Sequence, residues 1–292
     1  MRLRVYHRTE YTYASSVTQS SNELRLCPLD TPFQRCESFF PGVIPATRLT
    51  HFRDLFSNVV HYFELPEPHD RLVIETRATV LTQSKVDYGA FPYGMKHLDL
   101  PQCLEREECY PFLQDSHYVE VTPAIWKHAL DVADTSEDVF QTSYAIMEHI
   151  YRNFEYQSGT TKVTTHAREV FEQRRGVCQD FAHLMLALCR ALRIPARYVS
   201  GYLFDPTWDH RLRGNAASHA WVEVYLLREG WVGLDPTNNK VVDGTYIKVA
   251  TGRDYADVAP VTGTYFGSGI STMHVTVDVK RLSGEEKPLD RL

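Results

Sequence analysis

What this chain lacks narrows its possible roles. No stretch approaches the ~18 apolar residues of a membrane-spanning helix; LMLALC, residues 184–189, is the longest candidate and reads as part of a soluble helix. The opening MRLRVYHRTEYTY has no apolar run of signal-peptide length, so no export signal is expected. Basic residues are not in excess: 31 Lys and Arg stand against 37 Asp and Glu, a net charge of -6. That balance argues against nucleic acid or an anionic membrane as a partner. Internal repeats and low-complexity runs are missing too. Six unevenly spaced cysteines without an export signal point to reduced thiols and a cytoplasmic location.

Metal and phosphate patterns are equally scarce. Cys178 and His183, five apart, do not align on one helix face, where four apart would. Cys103, Cys109 and His117 are spaced too irregularly for a zinc finger. GTYFGSG is glycine-rich but lacks the strand-to-helix context of a phosphate-cradling loop. No calcium loop of the EF-hand type is present, and neither a metal nor an organic cofactor is expected.

What is present is an ordinary globular composition, 43% hydrophobic and 23% charged over 292 residues, a length typical of two domains. Residues 1–83 are rich in β-branched and aromatic residues with partial alternation, broken by prolines such as Pro28, Pro41 and Pro66. They read as an antiparallel β-sandwich-like domain. Residues 84–122 read as a linker wrapping over a neighbour. Helical periodicity begins after Pro123. In TSEDVFQTSYAIMEHIYRNFEY, Ser136 or Thr135 can cap, and Phe140, Tyr144, Met147, Tyr151 and Phe154 mark an apolar face. A short helix ends at Gly176, and another runs from Val177 to about Leu192. PARYVSGYLF, SHAWVEVYLL and GWVGLDPT read as strands. The class is therefore α+β, with a core at 123–270 in which helices pack on an antiparallel sheet, and a C-terminal strand and tail at 271–292.

The helix after Gly176 carries two cysteines in different surroundings. Cys189 sits among Leu186, Ala187, Leu188 and Ala191 and reads as a small core residue. Cys178 falls in the first turn, where orphan N–H groups and the helix dipole stabilise an anion, and Arg174 and Arg175 lie close by. On its own, Cys178 fits a buried hydrophobe as well as a nucleophile. A nucleophile needs a base, and the base an orienter. His219 starts a strand, with Trp221, Glu223 and Tyr225 on its own face. Asp235 ends the next strand, before Pro236. To set Asp235 opposite His219, a simple hairpin needs its midpoint at Leu227, yet the turn signal REG lies at 228–230. The offset is about four residues, roughly 13 Å at ~3.3 Å per residue. Glu223 therefore stands as a rival orienter.

GVCQDFAHL, SHAWVEVY and WVGLDPTNN, in this order, resemble the transglutaminase-like superfamily of papain-like thiol enzymes. FEYQSGTTKVTTHAREVFEQRRG looks like the lead-in of the bacterial branch, and LRLCP and DLFSNVVHYFEL look like its N-terminal domain. The resemblance covers residues 1 to about 265. It implies a papain/transglutaminase-like core with Cys178 as nucleophile, His219 as general base and acid, and Asp235 as orienting carboxylate, preferred over Glu223. The implied activity is acyl transfer on amide or peptide bonds through a thioester, with hydrolysis favoured because no accessory β-domains follow the core. Cross-linking or deamidation of protein glutamine, or a non-catalytic scaffold on this fold, are the alternatives. Transfer of an acetyl group to an arylamine would need a coenzyme-binding loop that is not evident. Residues 251–267 resemble the family's tail segment bordering the active site, which gives Tyr255 a place in shaping the cleft.

Overall fold

A computed structural model of the chain describes residues 1–83, 91, 93–133, 136–157, 165–205, 218–267 and 270–282. Thr135, most of the QSGTTKVTT loop and the tail from 283 lie outside these residues.

One long strand organises the first half. β1 (Arg2–Leu24) is followed by β2 (Gln34–Ile44), β3 (Thr50–Arg53), β4 (Val59–Leu65) and β5 (His69–Thr82). Leu3, Val5, His7 and Thr9 alternate inward along β1, as period 2 requires. Its first half pairs with β5 through Arg2–Thr12 and its last residues pair with β4 through Ser20–Leu24. The register breaks between Thr12 and Val17, and Gln19 takes a φ of 51°. Such irregularity bends a strand, so a single sheet in the order β2-β5-β1-β4-β3 curls over a core that includes Val17, Leu24, Phe63, Leu72 and Ile74. The expected sandwich-like domain is thus one antiparallel sheet folded on itself.

The second half runs α1 (Pro101–Leu104), α2 (Pro123–Ala133), α3 (Val139–Asn153), β6 (Glu155–Tyr156), α4 (Ala167–Gln173), β7 (Arg175–Gly176) and α5 (Cys178–Ala191). Then come β8 (Ala196–Leu203), β9 (His219–Leu226), β10 (Gly230–Asp235), β11 (Lys240–Val241), β12 (Tyr246–Gly252) and α6 (Tyr255–Val258). Strands β8 to β12 form an antiparallel sheet ordered β11-β10-β9-β8-β12. Every residue of α5 from Asp180 to Arg190 is buried, which explains apolar residues on all its sides. The segment from 95 to 119 contributes Met95, Leu100, Cys103, Cys109 and Val119 to the same core. In α3 the cap is Asp138, not Ser136: its carboxylate accepts the Gln141 N–H at 2.9 Å, while the Ser136 hydroxyl donates to the Asp138 carbonyl. The inward face also differs, since Ile146 and Ile150 are fully buried while Tyr151 is 37% exposed.

β13 (Val261–Phe266) and β14 (Ser271–Arg281) return the chain to β1, one along each half of that strand. The two sheets meet where Leu3, Val5, Ala78 and Val80 pack on Tyr202, Ile247 and Val249. An edge strand has unpaired backbone groups that need cover, and β12 receives it from two amide side chains. Gln34 Nε2 donates to the Lys248 carbonyl at 2.8 Å and its Oε1 accepts the Lys248 N–H at 2.7 Å. Asn58 does the same with Thr251, both bonds at 2.8 Å. Asn58→Ala leaves both Thr251 groups unpaired in the interior, at an expected cost of about 3 kcal/mol, seen as a lower urea midpoint. A loss no larger than that of an exposed substitution would show that this clamp carries no stability.

Candidate active site

The site begins at the start of α5. Asp180, in its first turn, folds back so that its Oδ2 accepts the Val177 N–H at 2.7 Å. This carboxylate also suits the positive end of the helix dipole. The fold-back needs a glycine upstream: a Cβ at Gly176 would come within 2.6 Å of Asp180 Cβ. Chain direction and helix start are thus fixed together, and Cys178 is the first helical residue, partly exposed beside a cleft. Cys189, three turns on, is fully enclosed, and burial pushes its thiol up to about 12. Arg174 turns away onto aromatic rings, its guanidinium 4.8 Å from the Phe154 centroid and 5.1 Å from that of Phe171.

His219 opens β9 and is 1% exposed. Its Nε2 hydrogen-bonds Asp235 Oδ2 at 2.8 Å. Nδ1, buried, has no hydrogen-bond partner among the described residues, and the ring and the Cys178 side chain line the same cleft. Trp221 stacks beside the imidazole with centroids 6.2 Å apart, and Tyr246 tilts against it at 6.1 Å.

The hairpin offset resolves in the register. β9 and β10 pair Val222 with Leu234 and Leu226 with Gly230. Extending that register sets Asp235 across from Trp221, on the face His219 shares and diagonal to it. Diagonal neighbours lie ~7–8 Å apart, within reach of long side chains. Asp235 is fully buried, yet its oxygens are saturated. Oδ1 accepts the Thr237 N–H at 2.8 Å and the Asn238 N–H at 3.3 Å. Oδ2 accepts the Asn238 amide and the Tyr246 hydroxyl, each at 2.8 Å, besides His219. Sequence reading missed Asn238 and Tyr246 as partners; Asn238, three residues on in DPTNN, has a local turn signal, whereas Tyr246 on β12 has none.

Glu223 does not reach the histidine. Its carboxylate is held by Arg197 Nη2 at 2.7 Å and by Lys248. Burial would raise its pKa, but Lys248 and Arg197 outweigh that and bring it to about 2. His183 is engaged elsewhere: its Nε2 accepts the Tyr255 N–H at 3.2 Å and its ring stacks on Tyr118. Cys103 and Cys109 are fully buried, and His117 packs on Tyr118 and His166.

Electrostatics follow from burial and pairing. Burial opposes charge on His219, but the Asp235 charge and hydrogen bond, helped by the nearby Cys178 thiol, raise its pKa from 6.5 to about 10. Burial likewise opposes the Asp235 carboxylate, which His219, Asn238 and Tyr246 hold below 3.8.

The chain is matched over residues 127–236 by the family described as transglutaminase-like superfamily and over 3–81 by the bacterial transglutaminase-like N-terminal region. An uncharacterized protein of Mycobacterium tuberculosis is 37% identical over 306 residues, covering 97% of this chain and 94% of that one. One of Mycobacterium leprae is 35% identical over 285 residues, covering 97% and 99%. Among solved structures, a candidate cysteine protease from Cytophaga hutchinsonii superposes with a TM-score of 0.78 at 27% identity, over 99% of this chain and 93% of that one.

The pH dependence of the pair has a definite sign. His219, raised, contributes stability in full below 6.5 and loses it as pH climbs towards about 10; Asp235, lowered, contributes in full above 3.8 and loses it as pH falls below that. The stability gap between wild type and His219→Gln, read by urea unfolding at stepped pH, should therefore be widest between 3.8 and 6.5. It should narrow as the solution becomes alkaline; a gap that widens would reverse the assignment.

Proposed function

We propose, for a chain that belongs to the transglutaminase-like superfamily, that it is a thiol enzyme acting on amide or peptide bonds through a thioester on Cys178. One observation carries this reading. A partly exposed cysteine at a helix start and a buried histidine line one cleft, and behind it the histidine is hydrogen-bonded to a saturated buried aspartate.

The chemistry follows the placement. A raised imidazole pKa makes His219 a stronger base, which takes the Cys178 thiol proton. The sulfur attacks the amide carbonyl, forming the C–S bond and pushing charge onto oxygen. The Cys178 backbone N–H, in the first turn and without an intrahelical acceptor, is one donor for that oxyanion. His219 gives its proton to the departing amine as the C–N bond breaks. Water then enters, His219 takes its proton, the C–S bond breaks, and the acid leaves. Asp235 holds the ring so that Nδ1 faces the sulfur throughout, and stabilises the imidazolium. None of these steps requires a metal or an organic cofactor.

Hydrolysis is favoured over amine transfer, and a peptide or protein amide is the substrate class. Intact-mass spectrometry after mixing with an activated peptide ester provides the test. An acyl adduct should appear on Cys178, be absent in Cys178→Ala, and decay in water to the free acid even with a primary amine present. An adduct that decays only when amine is added would move the assignment to cross-linking; no adduct at all would end the thiol-enzyme reading.

A further inference from the structure

The cleft beside Cys178 has a volume of about 350 Å³, and only part of its lining comes from the catalytic half. The remainder comes from the two ends of the described chain. β1 and β14 pair so that Tyr11 faces Met273, Thr9 faces Val275 and His7 faces Val277. Period 2 puts Thr9 and Tyr11 on one face with His7, and Val275 and Met273 on the same side of the partner strand. These residues, apart from Val277, line the cleft together with Cys178 and His219. Arg8 and Glu10, between them in sequence, project to the other face, where Arg8 pairs with Glu10 at 2.9 Å and with Glu75.

The wall carries no charge. Among the described residues, no Asp, Glu, Lys or Arg lines the cleft. His7, the one titratable group besides the catalytic pair and the tyrosines, has both ring nitrogens engaged: Nε2 with the Thr9 hydroxyl and Nδ1 with the Tyr202 hydroxyl, each at 2.9 Å. Burial lowers its pKa to about 4, so it is neutral at neutral pH. Tyr156, Tyr198, Tyr255 and Val261 continue the apolar and aromatic lining from the other half. A charged substrate group entering here would lose its water and find no counter-ion, whereas an apolar group would exchange water for ring and methyl contacts.

We infer that the paired strands β1 and β14 form the substrate-side wall of the cleft, and that the side chain lying on it, next to the reacting carbonyl, is uncharged and apolar or aromatic. The inference rests on the thiol-enzyme reading above. It assigns to the N-terminal domain a direct part in substrate selection, with Tyr11 and Met273 as the specificity-determining pair.

Acyloxymethyl ketone probes differing only in a Leu, Phe, Lys or Asp side chain test it on the full chain. The rate of Cys178 labelling by each is divided by that protein's own rate with iodoacetamide, which is too small to need the wall. In wild type the Leu and Phe probes should label about tenfold faster than the Lys and Asp probes, or more. Met273 is 59% exposed, so Met273→Glu can be accommodated on the surface, with circular dichroism checking the fold. That variant should lose most of the preference and shift it towards the Lys probe. Equal normalised rates for all four probes in wild type, or an unchanged order in Met273→Glu, overturn the wall assignment while the thiol reading stands. Failure of iodoacetamide itself to label Cys178 removes the thiol reading, and this inference with it.

Discussion

The buried pair of His219 and Asp235 is the interaction on which the rest of the structure depends. Two ionisable groups with essentially no solvent contact would be destabilising alone, and breaking such a pair costs about 3–5 kcal/mol. The chain makes the arrangement tolerable by saturating the carboxylate. Five hydrogen bonds reach it from β9, from the turn after β10 and from β12. Those contributions must stay in register for the imidazole to keep its place on the cleft that Cys178 also lines. β9 lies central between β8 and β10, and the packing at Gly201 is tight beside the same pair. A Cβ at Gly201 would come within 2.6 Å of the Trp221 ring, which stacks beside His219.

This dependence extends into the first domain. Tyr246, which donates to Asp235, lies at the start of β12, an edge strand clamped further along by Gln34 and Asn58. The N-terminal sheet thereby stabilises the strand that steadies the carboxylate. It also faces the cleft through β1, while the C-terminal strand β14 completes that face by pairing along β1. The two halves are separate in sequence but jointly build one site.

Local chemistry was legible in the sequence. A cysteine in a first helical turn, a histidine opening a strand and an aspartate closing the next each carry a physical signature; the structure hydrogen-bonds His219 to Asp235 and sets Cys178 on the cleft that His219 lines. Their relative placement was less legible. The estimate from the REG turn misplaced the partners by four residues, whereas the actual hairpin leaves Asp235 only two from direct opposition, on the histidine's face. Glu223 looked equivalent because its partners, Arg197 on β8 and Lys248 on β12, come from other strands, where a local pattern does not show them. Tyr246, Asn58 and the β1–β14 wall act across the fold, where no local pattern announces them. The cap of α3 failed for a subtler reason: three candidate oxygens precede that helix, and only backbone geometry selects Asp138.

The proposed mechanism turns on His219 activating the Cys178 sulfur. The pH dependence of Cys178 alkylation by iodoacetamide, mapped by peptide mass in wild type and His219→Ala, tests it most directly. Expected are a marked loss of Cys178 reactivity at neutral pH in His219→Ala and an inert Cys189 throughout. A profile that His219→Ala leaves unchanged would contradict it.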